Sequence, residues 1–143
     1  MKISFILPAW KSAFLGAAIR SILDQTSPDW ELVVVDDCSP EPLEGIVKSF
    51  DDPRIRYYRN QENLGGKNLV HQWNHCIKFA TGDYIVLAAD DDLYKPTFCA
   101  ECLRLAEKYP QVDLIHTSVE QIDEEGKHLC DDVILPEYTS KYE

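Results

Sequence analysis

No run in this 143-residue sequence approaches the roughly 18 uninterrupted apolar residues of a membrane-spanning helix, so a transmembrane segment is not expected. A signal-peptide pattern is also missing. Met1-Lys2-Ile3-Ser4 leads directly into a strand-like segment, which predicts a location in the cytoplasm or at the cytoplasmic face of a membrane. Basic residues are scarce, 14 Lys and Arg against 25 Asp and Glu, and the net charge of −11 with no basic stripe argues against a nucleic-acid partner. The five cysteines are odd in number and scattered, so they make no secreted disulfide framework. No G-x-G-x-x-G follows the first apolar run, and Gly65-Gly66-Lys67-Asn68 lacks the distant glycine and the Ser or Thr of a P-loop. A calcium loop counted from Asp90 would need glycine at its sixth position, where Lys95 stands. Cys99-x-x-Cys102 has no second pair, and His71, His75, His116 and His128 have no spacing that suggests a shared metal, so zinc sites are not expected.

What is present is a chain with 45% apolar residues and no low-complexity segment, enough for one domain over residues 1–143. Ile3 to Leu7 is an apolar run ended by Pro8, and Ser12 is placed to cap a helix with Phe14, Leu15, Ala18, Ile19, Ile22 and Leu23 on its apolar side. Glu31 to Asp37 repeats the strand pattern, followed by helical spacing at Leu43, Ile46, Val47 and Phe50. Arg54 to Arg59 alternates charge with apolar residues and reads as a strand towards an edge. A glycine-bearing loop, Asn63 to Lys67, leads into a helix with Leu69, Val70, Trp73, Cys76, Ile77 and Ala80 on its apolar side, and Trp73 reads as a core anchor. Tyr84 to Ala89 reads as a strand buried on both faces. Pro96 opens a helix to about Tyr109, Val112 to Val119 reads as a fifth strand, and Glu124 to Lys127 as a hairpin turn into Leu129 to Leu135. Alternating strands and helices predict a three-layer α/β/α sandwich with a mostly parallel sheet and a C-terminal hairpin.

Two of these strands end in acid: Asp36-Asp37 after the second and Asp90-Asp91-Asp92 after the fourth. Three adjacent carboxylates repel one another and need open solvent or a cation, and a divalent ion such as Mg2+ or Mn2+ suits oxygen ligands. A solvated acidic turn ahead of the Pro96 helix is the plain alternative. In open parallel sheets, however, ligands sit beyond the carboxyl ends of strands where strand order reverses. If the first and fourth strands are neighbours there, both acidic ends and Pro8-Ala9 converge on one crevice.

In order along the chain, Ser4 to Trp10, Ser21 to Thr26, Glu31 to Ser39, Asn63-Leu64-Gly65, Trp73-Asn74, Gly82-Asp83-Tyr84, Asp90-Asp91-Asp92 and Pro96 together resemble family 2 glycosyltransferases of the GT-A fold. The resemblance implies that the Asp36-Asp37 pair contacts the nucleoside, with Asp37 accepting a hydrogen bond from a uracil or thymine imide, and that Pro8 and Ala9 lie along it. It implies a D-x-D motif holding Mg2+ or Mn2+ against a nucleotide-diphosphate sugar, with Asp91 as main ligand, Asp90 at ribose or metal, and Asp92 beside them. Counted back from Pro96, the first D-x-D position is Ala89, so the motif survives as Asp90-Asp91-Asp92. The Arg that often precedes the family's Asn is Trp73 here, and Lys67 either supplies that positive charge to the nucleotide or is a solvated loop lysine.

Family 2 enzymes carry the catalytic base and acceptor site after the D-x-D region. Asp123, Glu124 and Glu125 look like hairpin decoration, so the base is expected beyond Glu143 and the chain reads as the donor-binding half of a UDP- or dTDP-sugar enzyme acting on a glycan or lipid-linked acceptor. Homo-oligomerisation is left open. The competing readings are a degenerate GT-A binding module without turnover and an Asp-dependent phosphoryl or nucleotidyl transferase.

Overall fold

The computed structural model describes residues 1–132 and falls into two compact units, Met1–Leu103 and Arg104–Glu143. The first holds four parallel strands, β1 (Ile3–Ala9), β2 (Trp30–Asp36), β3 (Ile55–Arg59) and β4 (Tyr84–Leu87), in the order β3-β2-β1-β4. Helices α1 (Leu15–Leu23), α2 (Leu43–Lys48) and α3 (Leu69–Cys76) connect them, and α4 (Phe98–Lys108) follows β4. Right-handed crossovers dictate the layers. β1 to β2 to β3 steps one way across the sheet, so α1 and α2 share a face and touch. The return from β3 to β4 steps the other way and puts α3 on the opposite face, against β1. Strand side chains alternate to match. Ile6, Val33 and Val35 pack with Cys76 of α3, whereas the Phe5 ring meets Tyr94 and Phe98. The fold is thus mixed α/β with a parallel sheet. A small antiparallel hairpin, β5 (Glu120–Ile122) with β6 (His128–Asp131), turns at Gly126, whose φ of +79° favours glycine. The expected strand to Leu135 runs beyond the described residues from position 133, as does the tail from Pro136.

Several expectations need correction. β1 does not stop before Pro8 but runs through Ala9, because its pairing with β4 ends at Ile6 and Pro8 needs no N–H on that side. Ser12 does not cap α1. Its backbone N–H donates to Glu41 (2.6 Å), and the helix starts at Leu15. β4 ends at Leu87 and is not buried on both faces: β1 is its one neighbour among the described residues, and Ile85 and Leu87 are exposed. In α3 the buried pair is Gln72 and Cys76, one turn apart, so Leu69, Val70 and Trp73 point outward and Trp73 is no core anchor. Val112 to Val119 forms no ladder among the described residues, and its Leu114 is 79% exposed. A strand is stable only with a partner for its backbone.

The amino ends of the strands are locked by one buried acid. The carboxylate of Glu31 accepts from Ser4 Oγ (2.6 Å), the Thr81 amide (2.7 Å) and hydroxyl, and pairs with Lys2 and Arg56. Gly82 follows Thr81 at a point where a Cβ would lie 2.5 Å from the Lys2 carbonyl oxygen. Burial raises the Glu31 pKa, but the hydrogen bonds outweigh it and hold the group at about 2, below the ordinary 4.5. With the folded value depressed, the stabilisation is complete above about pH 4.5 and is lost as pH falls towards 2, amounting to about 3 kcal/mol at neutral pH. Glu31→Gln is therefore expected to destabilise strongly in urea titrations at pH 7. The gap to wild type should shrink to less than half by about pH 3. A pH-independent gap would contradict the ionic origin.

Candidate functional site

The strand order reverses at β1, which lies between β2 and β4, so the carboxyl ends of these three strands adjoin. Backbone bonds bring the exits into register: the Asp37 amide donates to Ala9 O (3.0 Å), the Asn60 amide to Asp36 O (2.8 Å) and the Ala88 amide to Ile6 O (2.8 Å). Side chains close the arrangement. Ser39 Oγ donates to the Trp10 carbonyl (2.6 Å), and one oxygen of Asp90 accepts from the successive amides of Trp10 and Lys11, both at 2.9 Å. Asp90 thereby ties the β4 exit to the β1 exit.

Placed on this frame, the expected residues differ in what they offer. Asp36 is fully buried. It accepts from Tyr57 OH (2.6 Å) and the Ser39 amide (2.7 Å) and forms an ion pair with Arg59, which leaves its expected nucleoside contact no exposed face. The Tyr57 hydroxyl is pushed up to about 12 by burial and by its bond to Asp36. Asp37, 2% exposed, accepts from Asn60 Nδ2 (2.7 Å) and from the amides of Leu64 (3.0 Å) and Gly65 (2.7 Å). Pro8 is half-buried, and Ala9 is buried with its carbonyl already bonded. Lys67 is exposed and paired with Glu62 on its own loop. The exposed acids Asp91 and Asp92 lie at the β4 end.

Asp91 is exposed, and its carboxylate makes no hydrogen bond or ion pair among the described residues. Asp92 has its pKa raised by burial and then by the charges of Asp91 and Asp90. No group of three His, Cys, Asp or Glu side chains among the described residues is arranged to hold a metal, so Asp90, Asp91 and Asp92 do not form a ready-made three-ligand centre. The reason is visible at Asp90, one of whose oxygens is committed to backbone amides. The chemistry still fits a hard cation. Such an ion takes one or two carboxylates with waters and phosphate oxygens, and a carboxylate pushed up by its neighbours gains from a nearby positive charge.

Sequence reasoning passed over Trp10. The residue is 37% exposed at the β1 exit, with its backbone amide held by Asp90 and its carbonyl by Ser39. The available signal was its position, an aromatic directly after Pro8-Ala9. Cys38, at φ 61°, turns the chain immediately after the acidic pair and carries backbone strain there. The thiols of Cys76, Cys99 and Cys102 are buried, which pushes them up to about 12, 12 and 11.

A parallel sheet that reverses at β1, with acidic and aromatic groups at the reversal, defines an α/β ligand-binding domain of the Rossmann-like kind. The chain belongs to the family described as Glycosyl transferase family 2, whose profile matches residues 4–136. It is 39% identical over 97 residues to the putative colanic acid biosynthesis glycosyl transferase WcaA of Escherichia coli (strain K12), covering 66% of this chain and 34% of that protein. It is 34% identical over 115 residues to the putative glycosyltransferase EpsE of Bacillus subtilis (strain 168), covering 78% and 40%. The crystal structure of S. aureus TarS 1-349 in complex with UDP-GlcNAc shares the fold at a TM-score of 0.71 and 20% identity, covering 85% of this chain and 40% of that one. The chain spans about a third to two-fifths of the length of these two curated relatives. No helix among the described residues is long and apolar enough to cross a membrane.

The two acidic clusters should therefore respond oppositely to truncation. Asp36→Ala leaves Arg59, Tyr57 and the Ser39 amide without their shared acceptor and is expected to cost about 3 kcal/mol. Asp91→Ala removes a solvated, repelled charge and should leave stability within about 0.5 kcal/mol of wild type, or raise it. Urea denaturation of both variants at pH 7 checks the contrast, and equal losses would contradict it.

Proposed function

We propose that this chain is the donor-binding portion of a family 2 glycosyltransferase, taking a UDP- or dTDP-sugar with Mg2+ or Mn2+ at the joined ends of β1 and β4, for transfer to a glycan or lipid-linked acceptor. The observation that carries the reading is the Asp90 bridge to the Trp10 and Lys11 amides. It ties the segment carrying the partly exposed Trp10 to the segment carrying the exposed Asp91 and Asp92, which supports the reading. Trp10 supports the base by stacking, Pro8 flanks it, and Asp91 with Asp92 and the remaining oxygen of Asp90 would hold the cation. When bound, the metal neutralises charge on the leaving diphosphate. A UDP-sugar complex of the neighbour TarS supports the donor class.

Asp123 is not offered as the catalytic base, because one of its oxygens caps the hairpin turn by accepting from the Glu125 and Lys127 amides. Unpaired cysteines are consistent with work in the cytoplasm or at the cytoplasmic face of a membrane.

UDP is expected to bind at least about tenfold tighter with millimolar Mn2+ than in EDTA, since a chain of net charge −11 otherwise repels a diphosphate. Asp91→Ala should remove that increment while leaving metal-free uridine binding unchanged. Calorimetry reads both. Equal affinity with and without metal would take the acidic cluster out of the donor site, and no UDP binding in either condition would favour a degenerate module.

A further inference from the structure

We propose that Gln25 is a positioning residue for the acidic cluster. With Ser21 one turn before it, Gln25 fixes the far end of the segment whose near end Asp90 ties to β1, so that Asp91 and Asp92 meet a cation from a span held at both ends. This rests on the donor-site reading above. A buried carboxamide must place two N–H donors and one carbonyl acceptor. Gln25, 8% exposed where α1 ends, places all three: Nε2 donates to the carbonyls of Ser21 (3.1 Å) and Lys95 (2.8 Å), and Oε1 accepts the Cys99 amide (2.8 Å). Cys99 lies in the first turn of α4, where a helix leaves its own N–H groups unpaired, so the same side chain serves as a cap.

Neighbouring residues fasten the same segment. The Thr26 amide donates to the Pro96 carbonyl (2.8 Å), and Ser21 Oγ accepts the Tyr94 amide (3.1 Å) while donating to Ala18 O (2.8 Å). The Tyr94 ring lies edge-on to Phe5 of β1 and to Phe98, with centroids 5.0 and 4.9 Å apart. Hydrogen bonds at Tyr94, Lys95, Pro96 and Cys99 thus set the segment against α1 and its exit. Between this anchor and Asp90 stand Asp91, Asp92 and Leu93, whose backbone groups make no hydrogen bond among the described residues. What fixes their course is the two ends. Adjacent carboxylates repel, and a span loose at one end lets them drift apart, so that a cation must order them as it binds. With both ends tied, that ordering is already made. Residues that orient metal ligands without touching the metal typically change affinity by about ten- to a hundredfold.

The test uses Mn2+ itself, counted by electron paramagnetic resonance at saturating UDP, beside metal-free uridine binding by calorimetry and stability in urea. Ser21→Ala removes the acceptor of the Tyr94 amide. Gln25→Glu keeps an acceptor for the Cys99 amide but no longer donates to Lys95 O. Each should weaken Mn2+ binding by about tenfold and leave uridine within about twofold of wild type. Ile22→Val, a core loss in the same helix, should lower stability and leave Mn2+ affinity unchanged, which separates placement of the cluster from stability. Should Gln25→Glu fail to fold, Ser21→Ala decides. Mn2+ affinity that is unchanged in Ser21→Ala, or that falls in step with stability across all the variants, would overturn the proposal and leave the donor reading standing. A wild-type chain that binds no Mn2+ in the presence of UDP would overturn the donor reading, and the proposal with it.

Discussion

Two hydrogen bonds to a single oxygen of Asp90, from the amides of Trp10 and Lys11, hold the site in the form described. Each joins a charged acceptor to a backbone donor, and the pair ties the β1 exit to the β4 exit beyond the point where the short β1–β4 ladder ends at Ile6 and Leu87. Everything proposed for the crevice follows from that junction. Trp10 is partly exposed, and its carbonyl is presented to Ser39, which draws in the turn after β2. Asp91 and Asp92 follow Asp90 in the chain and are exposed.

The acidic residues divide by the end of the sheet and by what they bind. Glu31 at the amino ends of the strands and Asp36 at the carboxyl end of β2 are buried, and each is met by guanidinium or ammonium groups and hydroxyls. They are part of the scaffold. Asp37 is also buried but receives only neutral donors, all from the loop that follows β3. In the Asp90 to Asp92 cluster like charges are close, and Asp92 is raised by burial and then by the charges of Asp91 and Asp90.

Much of this was legible in the residues. The parallel α/β order follows from four apolar runs alternating with helical spacing, the edge position of β3 from its alternating arginines, and the hairpin from Gly126. The convergence of strand ends followed from one topological condition, β1 beside β4, which holds. What sequence could not show was which partners each acid of a pair would find in the fold. Asp36 and Asp37 look alike as a pair at a strand end, and only the arrival of Arg59, Tyr57, Asn60 and the Gly65 amide from distant positions tells them apart. Periodicity also misled at α3, where the apolar stripe Leu69, Val70 and Trp73 faces outward, because the helix orientation is set by Cys76 in the core and Gln72 beside the loop.

The most direct measurement of the central claim is paramagnetic relaxation by Mn2+ in the NMR spectrum of the chain, with and without UDP. If the joined ends of β1 and β4 hold the donor diphosphate through a cation, substoichiometric Mn2+ should broaden the amide signals of Trp10, Lys11 and Asp90 to Leu93 first, and do so more strongly when UDP is present. Signals of Glu31 and Thr81 at the amino ends of the strands should stay sharp. Broadening that is indifferent to UDP, or that centres on the acidic turn at Asp123 to Glu125, would contradict the account.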